Sequence, residues 1–321
     1  MTYTKIEWAD VVWNPTSGCS RVSEGCENCY ARRMAYRLRG RFGYPAEEPF
    51  KVTLHPERLD EPLRWRQPKR VFVNSMGDLF HDDVPDEFIY EVYHRIMFSW
   101  EKKLGHIFMV LTKRPERMAK LWKPKVPLDN LWLGVTCENQ QAADERIPIL
   151  LQMPAAVRFV SVEPMLEPVD LSEWLKEVRY CERHGQLCDE GVRWENDQLV
   201  CKYCRRPVDR MRLLNWVIAG GETGPNARPM HPDWVRSLRD QCQEAGVPFF
   251  FKQWGQWNDL SSGNCVAPRK DRRVPWSDSY ILSHRNKIYK FLDGCRMFRI
   301  GKKTAGRLLD GRTWDEFPEV R

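Results

Sequence analysis

No apolar run in this 321-residue sequence reaches the roughly eighteen residues that a membrane-crossing helix needs, so a membrane protein is not expected. The opening MTYTKIEWAD has no basic start leading into an apolar stretch. No signal peptide is therefore expected, and the expected compartment is the cytoplasm. Low-complexity tracts and repeats of solenoid type are missing as well. Gly301-Lys302-Lys303 lacks the earlier glycine spacing of a phosphate-binding loop, so it is not read as a P-loop. The spread-out cysteines of a disulfide scaffold are also lacking. Of eleven cysteines, seven lie in two tight groups and four (Cys137, Cys242, Cys265 and Cys295) are scattered. Clustering without an export signal favours metal ligation over disulfides.

What is present describes a globular chain: 42% of residues are hydrophobic and 30% charged. The length suffices for a full core, as two domains or as one α/β barrel. The net charge of +7 permits an anionic partner such as nucleic acid without demanding one. Fourteen tryptophans are many. Trp8, Trp13, Trp254 and Trp257 lie near the site segments described below, and most others are expected in packing.

Short apolar runs predict strands at Val11–Trp13, Val71–Asn74, Ile107–Leu111, Leu131–Val135, Val157–Val162, Trp216–Ala219 and Phe249–Phe251. Amphipathic stretches predict helices at Tyr30–Leu38, Asp86–Trp100 (with Asp86 as N-cap), Pro115–Leu121, Asn139–Leu151 and Pro232–Ala245. Strand followed by helix, repeated, argues for a parallel sheet buried on both faces. Nearly every strand runs into a polar end: Asn14 and Cys19, Ser75–Asp78, Lys113–Arg114, Thr136–Asn139, Glu163, Gly220–Gly224, and Lys252–Gln253. An open doubly wound sheet concentrates its site at one switch point, whereas a barrel builds it from many strand ends. The expected fold class is thus α/β, a partial or full (β/α) TIM-like barrel over residues 1–254. It is interrupted by a cysteine-rich insert at 181–209 and followed by a basic cap at 255–321.

The first cysteine group, Cys19-x6-Cys26-x2-Cys29, sits in the loop between the first strand and the first helix, with Gly18 and Gly25 beside it. Three thiolates leave a four-iron cluster with one open iron, or leave a tetrahedral zinc one ligand short. In the zinc alternative the fourth ligand would come from His55, His81 or Cys137. The second group, Cys181-x6-Cys188-x12-Cys201-x2-Cys204, suits a closed structural zinc site that folds a small insert; a second iron–sulfur cluster is the rival.

Glu7-Trp8, Trp13-Asn14-Pro15, Gly18-Cys19 and Gly25-Cys26-x2-Cys29-Tyr30-Ala31 resemble the opening of a phage- and bacterium-associated three-cysteine-motif family of uncharacterised, radical-SAM-like proteins. The resemblance continues through Ser75–Phe80, Leu111–Pro115, Gly134–Thr136, Ser161–Pro164, Gly220–Glu222, Lys252–Gly255 and Gly301–Gly311. The first spacing, six residues, departs from the commonest radical SAM pattern, and so does Asn28 before Cys29. The resemblance implies a barrel of the radical SAM type, a [4Fe-4S] cluster on Cys19, Cys26 and Cys29, and S-adenosylmethionine (SAM) as cosubstrate. An external electron donor and hydrogen abstraction by a 5′-deoxyadenosyl radical go with it. It further implies Asp78 for the SAM amino group and Thr136, Glu138 and Asn139 for ribose or carboxylate. Gly220 and Gly221 would give close approach to the cofactor beside Glu222. Lys113, Glu163 and Lys252 are the candidate catalytic residues, with Arg114 and Gln253 nearby. Each of these is equally readable as a solvated strand end or an internal ion pair.

The C-terminal stretch carries Arg269, Lys270, Arg272, Arg273, Arg285, Lys287, Arg299, Lys302, Lys303 and Arg307 among aromatic residues. It reads either as a groove for a nucleic-acid backbone or as a basic cap. Three functions follow: a radical SAM enzyme acting on DNA, RNA or a nucleotide; one acting on a small molecule or peptide; or a non-catalytic, zinc-dependent nucleic-acid-binding protein.

Overall fold

A computed structural model describes residues 4, 6–122, 128–181, 186–187, 192–195, 198–204, 209–259 and 287–319. Seven parallel strands form one curled, half-barrel sheet in chain order. They are β1 (Val11–Trp13), β2 (Arg70–Val73), β3 (Ile107–Thr112), β4 (Leu131–Thr136), β5 (Val157–Val162), β6 (Trp216–Gly220) and β7 (Phe249–Gln253). β1 and β7 are its edges and do not pair with each other, so the barrel is partial; the outer edge of β7 is met by Trp314–Glu316, with Phe251 N donating to Trp314 O at 2.9 Å. Helices α1 (Tyr30–Leu38), α2 (Asp86–Glu101), α3 (Pro115–Leu121), α4 (Gln140–Leu151) and α5 (Pro232–Ala245) supply crossovers or stand between strands.

The expected elements are found with ends moved by a residue or two. β2 stops at Val73 because Asn74 takes φ +58°, a left-handed conformation that a strand cannot continue. Asp86 is the first helical residue of α2 and not its cap, which is Pro85. Its carboxylate pairs with Arg117 at 2.6 Å.

The β-branched and leucine side chains of the outer face pack under the helices as the larger core. The inner face is floored by aromatics: Trp8, Phe72, Trp132, Phe159, Trp216 and Phe250. Gly134 makes this floor possible, since a Cβ there would lie 2.5 Å from the Phe159 ring that crosses it. Phe317, near the end of the chain, closes against Trp216 and Phe250.

The insert contributes two small antiparallel sheets. Glu177–Cys181 pairs with Gln186–Leu187 and Asp209–Arg212, while Val192–Glu195 pairs with Gln198–Cys201. Its regular structure therefore begins and ends slightly outside 181–209. Beyond β7, Trp257–Asn258, Arg296–Arg299 and Ile288–Lys290 form a third antiparallel sheet. The basic residues Arg269 to Arg285 lie outside the described residues. Among the described residues, no helix is long and apolar enough to cross a membrane.

Candidate active site at the strand ends

The cysteine loop lies over the C-terminal edge of the sheet, and side chains from several strand ends hold it there. Its entry is fixed by backbone: Gly18 donates to Met76 O at 3.0 Å and Cys19 to Phe50 O at 3.1 Å. Only glycine fits at the crossing, because a Cβ on Gly18 would stand 2.2 Å from Lys51 O and one on Gly77 2.7 Å from Gly18 O. After β3, Arg114 reaches the Cys19 Sγ at 3.3 Å and the Ser20 Oγ at 3.0 Å. His81 Nε2 meets the same Ser20 hydroxyl at 2.7 Å. After β4, Asn139 caps α4 by accepting from Ala142 N at 2.8 Å, and its amide donates to Glu24 at 2.9 Å. After β6, Glu222 accepts from Asn28 Nδ2 at 3.0 Å and from the Arg228 guanidinium at 2.7 Å. Arg228 also reaches Glu27 and the Glu24 carbonyl.

Glu138 is the hub of this bracing. It is fully buried, with Lys113 Nζ at 2.8 Å and Arg146 at 2.9 Å, and its methylenes lie under Gly25. Burial works against its charge, but Lys113, Arg146 and the Ser23 hydroxyl outweigh that and bring its carboxyl down to about 2. Since this value lies below the unfolded one of 4.5, its contribution to stability is complete above pH 4.5 and drains away as pH falls toward 2. Glu138→Gln is expected to cost about 3 kcal/mol by leaving two cations uncompensated, and to flatten the pH dependence of stability in that window. Thermal melts from pH 7 to 3 check both expectations.

Several sequence assignments change on this geometry. Asp78 accepts from Thr112 Oγ1 at 2.8 Å, Phe80 N at 3.0 Å, Lys113 N at 3.2 Å and Arg114 at 3.2 Å. Its acceptor positions are taken by protein donors, so it orders the β3 end and is not free for a ligand's amino group. Lys113, Glu138, Asn139 and Glu222 likewise brace the loop. Gly221 lets chain meet chain, since a Cβ would lie 2.1 Å from Trp254 O. Thr136 is buried at the end of β4, and its carbonyl accepts from Arg146. His55 contacts Ser17 at 2.9 Å, His81 contacts Ser20 at 2.7 Å, and Cys137 is sealed in the core. Trp8, Trp13, Trp254 and Trp257 are packing residues.

Beside α1, which follows the loop, opens a cavity of about 900 Å³; none of the three cysteines is among its walls. Tyr30, Arg33, Ser75, Glu163, Lys252 and Gln253 are among its walls. Lys252 Nζ is 2.7 Å from Glu163 Oε2, and Gly220 stands beside that carboxylate. Gln253, only 3% exposed, donates to Glu163 at 3.4 Å and to Gly221 O at 3.3 Å, while its Oε1 has no partner. Turning the amide over would set oxygen against two acceptors, so the orphan is the oxygen. The Oε1 is buried away from the cavity surface, whose polar wall here is the Glu163 and Lys252 pair.

Burial pushes the Cys19 thiol up to about 12; Asp78 adds to this and Arg114 opposes it. On its own, then, Cys19 is a neutral thiol, and thiolate character there requires a bound cation. Among the described residues no three His, Cys, Asp or Glu side chains converge on a single-ion site. The three thiols of the loop are soft donors of the kind that iron–sulfur clusters take, and a cluster spreads its thiolates over separate irons. Cys29 stands at the N-cap of α1, where the helix dipole favours negative charge. By donor chemistry Cys19, Cys26 and Cys29 are the residues that would hold such a cluster, although the described residues show no assembled metal-binding group. Of the second group, Cys188 and the Cys181 side chain lie outside the described residues; Cys201 is buried and Cys204 half-buried.

Sequence reading missed Arg146, Arg228 and Asn28, which carry no motif and gain meaning only from contacts across the fold. It also missed a run of arginines on α1, which charge counting would have found.

No curated protein and no solved structure matches the chain. The resemblance to a phage- and bacterium-associated, radical-SAM-like family is corrected by the family comparison, in which no radical SAM family is detected. Residues 3–318 match the model described as "Protein of unknown function (DUF5131)", and with nearly its whole length matched the chain belongs to that family.

Proposed function

We propose that this chain is a radical SAM enzyme that binds a [4Fe-4S] cluster through Cys19, Cys26 and Cys29 and acts on a nucleic acid or nucleotide. The observation that carries the reading is a three-thiol loop braced over the C-terminal edge of a parallel half-barrel, with the helix that follows it, α1, forming one wall of a large cavity. When bound, such a cluster with one open iron supplies reductive cleavage of SAM, and hence a hydrogen-abstracting radical.

The chain's own residues do the rest. Arg114, Glu138, Asn139, Glu222 and Arg228 fix the loop so that its thiols keep their spacing. The aromatic floor and the covering loop restrict water at the concave face. Glu163 and Lys252, on the cavity wall, would bind a polar ligand and give or take its proton, with Gln253 Nε2 holding Glu163 in place. Gly220, buried beside Glu163, leaves that carboxylate room to reach Lys252.

Anaerobic reconstitution followed by metal analysis and a 5′-deoxyadenosine assay tests the reading. About four irons per chain and SAM-dependent 5′-deoxyadenosine are expected. Colourless protein holding only zinc contradicts it and favours the non-catalytic binder.

A further inference from the structure

Residues 28–46 contain five arginines and no acidic residue. Arg32, Arg33 and Arg37 are on α1; Arg39 and Arg41 are on the turn after it. Elsewhere arginines sit on carboxylates: Arg70 on Asp10, Arg95 on Asp60, Arg146 on Glu138, Arg236 on Asp310. Among the described residues none of the five on this stretch has a carboxylate partner. Arg33 is spent on the Thr223 carbonyl at 2.9 Å and Arg41 on the Arg37 carbonyl at 2.8 Å, contacts that leave their charge unbalanced. Gathering this much uncompensated charge of one sign is costly unless an external anion meets it.

The same face exposes aromatic surface. The buried side of α1 is Ala31 and Ala35, packed on Tyr44 and Met76. Its outer side shows Met34 and Tyr36, and Phe42 is 71% exposed. Phe42 holds φ +53°, a conformation that is costly for a bulky residue. It is kept there between Gly40 and Gly43, both also at positive φ, and by Arg58 donating to its carbonyl at 2.8 Å. A strained backbone that presents a phenyl ring to water has no packing rationale. Arg33, Met34, Arg37 and Phe42 are at once part of this face and part of the cavity wall, so the ledge runs without a break into the candidate site.

We propose that the outer face of α1 and the turn through Phe42 form a docking ledge for single-stranded nucleic acid, with phosphates on Arg32, Arg37 and Arg39, and with Tyr36 and Phe42 as stacking platforms at the cavity mouth. Guanidinium forks match phosphate oxygens, and exposed rings stack on bases only when those bases are unpaired. The proposal rests on the nucleic-acid reading of the cavity and adds strandedness and entry route to it.

Fluorescence anisotropy of the full chain with a labelled 12-nucleotide single strand, and with the same strand in a duplex, tests the ledge. Three phosphate contacts on a single strand predict a slope of log K against log salt of about −2. Arg37→Glu/Arg39→Glu is expected to weaken single-strand binding at least tenfold and to flatten that slope. Phe42→Ala is expected to weaken it roughly tenfold with the slope unchanged. Lys102→Glu, at the C-cap of α2, controls for net charge and is expected to bind as wild type does. Circular dichroism melts confirm that these surface variants fold. Binding within twofold of wild type in both ledge variants, preference for the duplex, or binding of polyglutamate in place of the oligonucleotide overturns the ledge. SAM cleavage without oligonucleotide binding rejects the ledge alone; ledge-dependent binding by a preparation that never cleaves SAM supports the ledge and rejects the proposed chemistry.

Discussion

Cys26→Ala is expected to purify with most of its loop-bound iron lost and to form 5′-deoxyadenosine at least a hundredfold more slowly than the parent. Cys26 lies in the middle of the loop, in the short helical turn Glu24–Cys26 that Ser23 and Gly25 seat on Glu138. Its own side chain takes no part in that seating apart from a 4.0 Å contact between its sulfur and the Ser23 hydroxyl. Removing the sulfur therefore deletes a ligand while leaving the bracing intact, and the thermal melt should move little. Cys201→Ala makes the opposite demand. Its side chain is buried in the insert, for which we propose a zinc site on the cysteine spacing, so the expected result is lower stability, lower zinc and an unchanged iron complement. Iron and zinc analysis of the two variants side by side separates the roles, and equal iron loss in both contradicts the assignment.

Glu163→Gln is expected to keep the iron and to lower 5′-deoxyadenosine formation by about a hundredfold, the lower end of what a positioned acid–base group contributes. Lys252→Met acts on the same pair from the other side. Either single change leaves one charged group facing the cavity without its partner, 2.7 Å away in the parent. The double variant Glu163→Gln/Lys252→Met removes both charges. If the pair were only structural, the double variant would recover most of the lost activity along with its stability, because deleting a whole buried pair is far less harmful than breaking it. The proposed role predicts that stability recovers and turnover does not. Melting temperature and turnover, measured on all three variants, read out that difference.

The architecture was largely legible in the chain. Runs such as Leu131–Thr136 (LWLGVT) and Val157–Val162 (VRFVSV) are mostly apolar because both faces of a parallel strand are covered, and this composition betrays them without tertiary information. Barrel closure was not legible, because it depends on whether the edges of β1 and β7 meet, and nothing in either strand's residues encodes that. The strand ends were recognised as chemically loaded, but their roles were not separable from sequence. Asp78, Glu138 and Glu222 look like ligand carboxylates when read one at a time. Only their partners in the fold, Thr112 from the next strand and Arg146 and Arg228 from the turns and helices that follow, turn them into props for the cysteine loop. Glu163, Lys252 and Gln253 keep a face on the cavity because no such prop reaches them from the loop. The α1 arginines carried a plain signal in their charge, five of one sign in nineteen residues without an acid, that motif reading passed over.

The claim beneath all of this is that the thiol loop holds iron with one coordination position left for a small molecule. Electron paramagnetic resonance of the reduced, reconstituted protein, recorded before and after SAM is added, probes that position directly. A cluster signal whose shape changes with SAM and is abolished in Cys26→Ala is the predicted result; a spectrum indifferent to SAM, or no cluster signal at all, contradicts it.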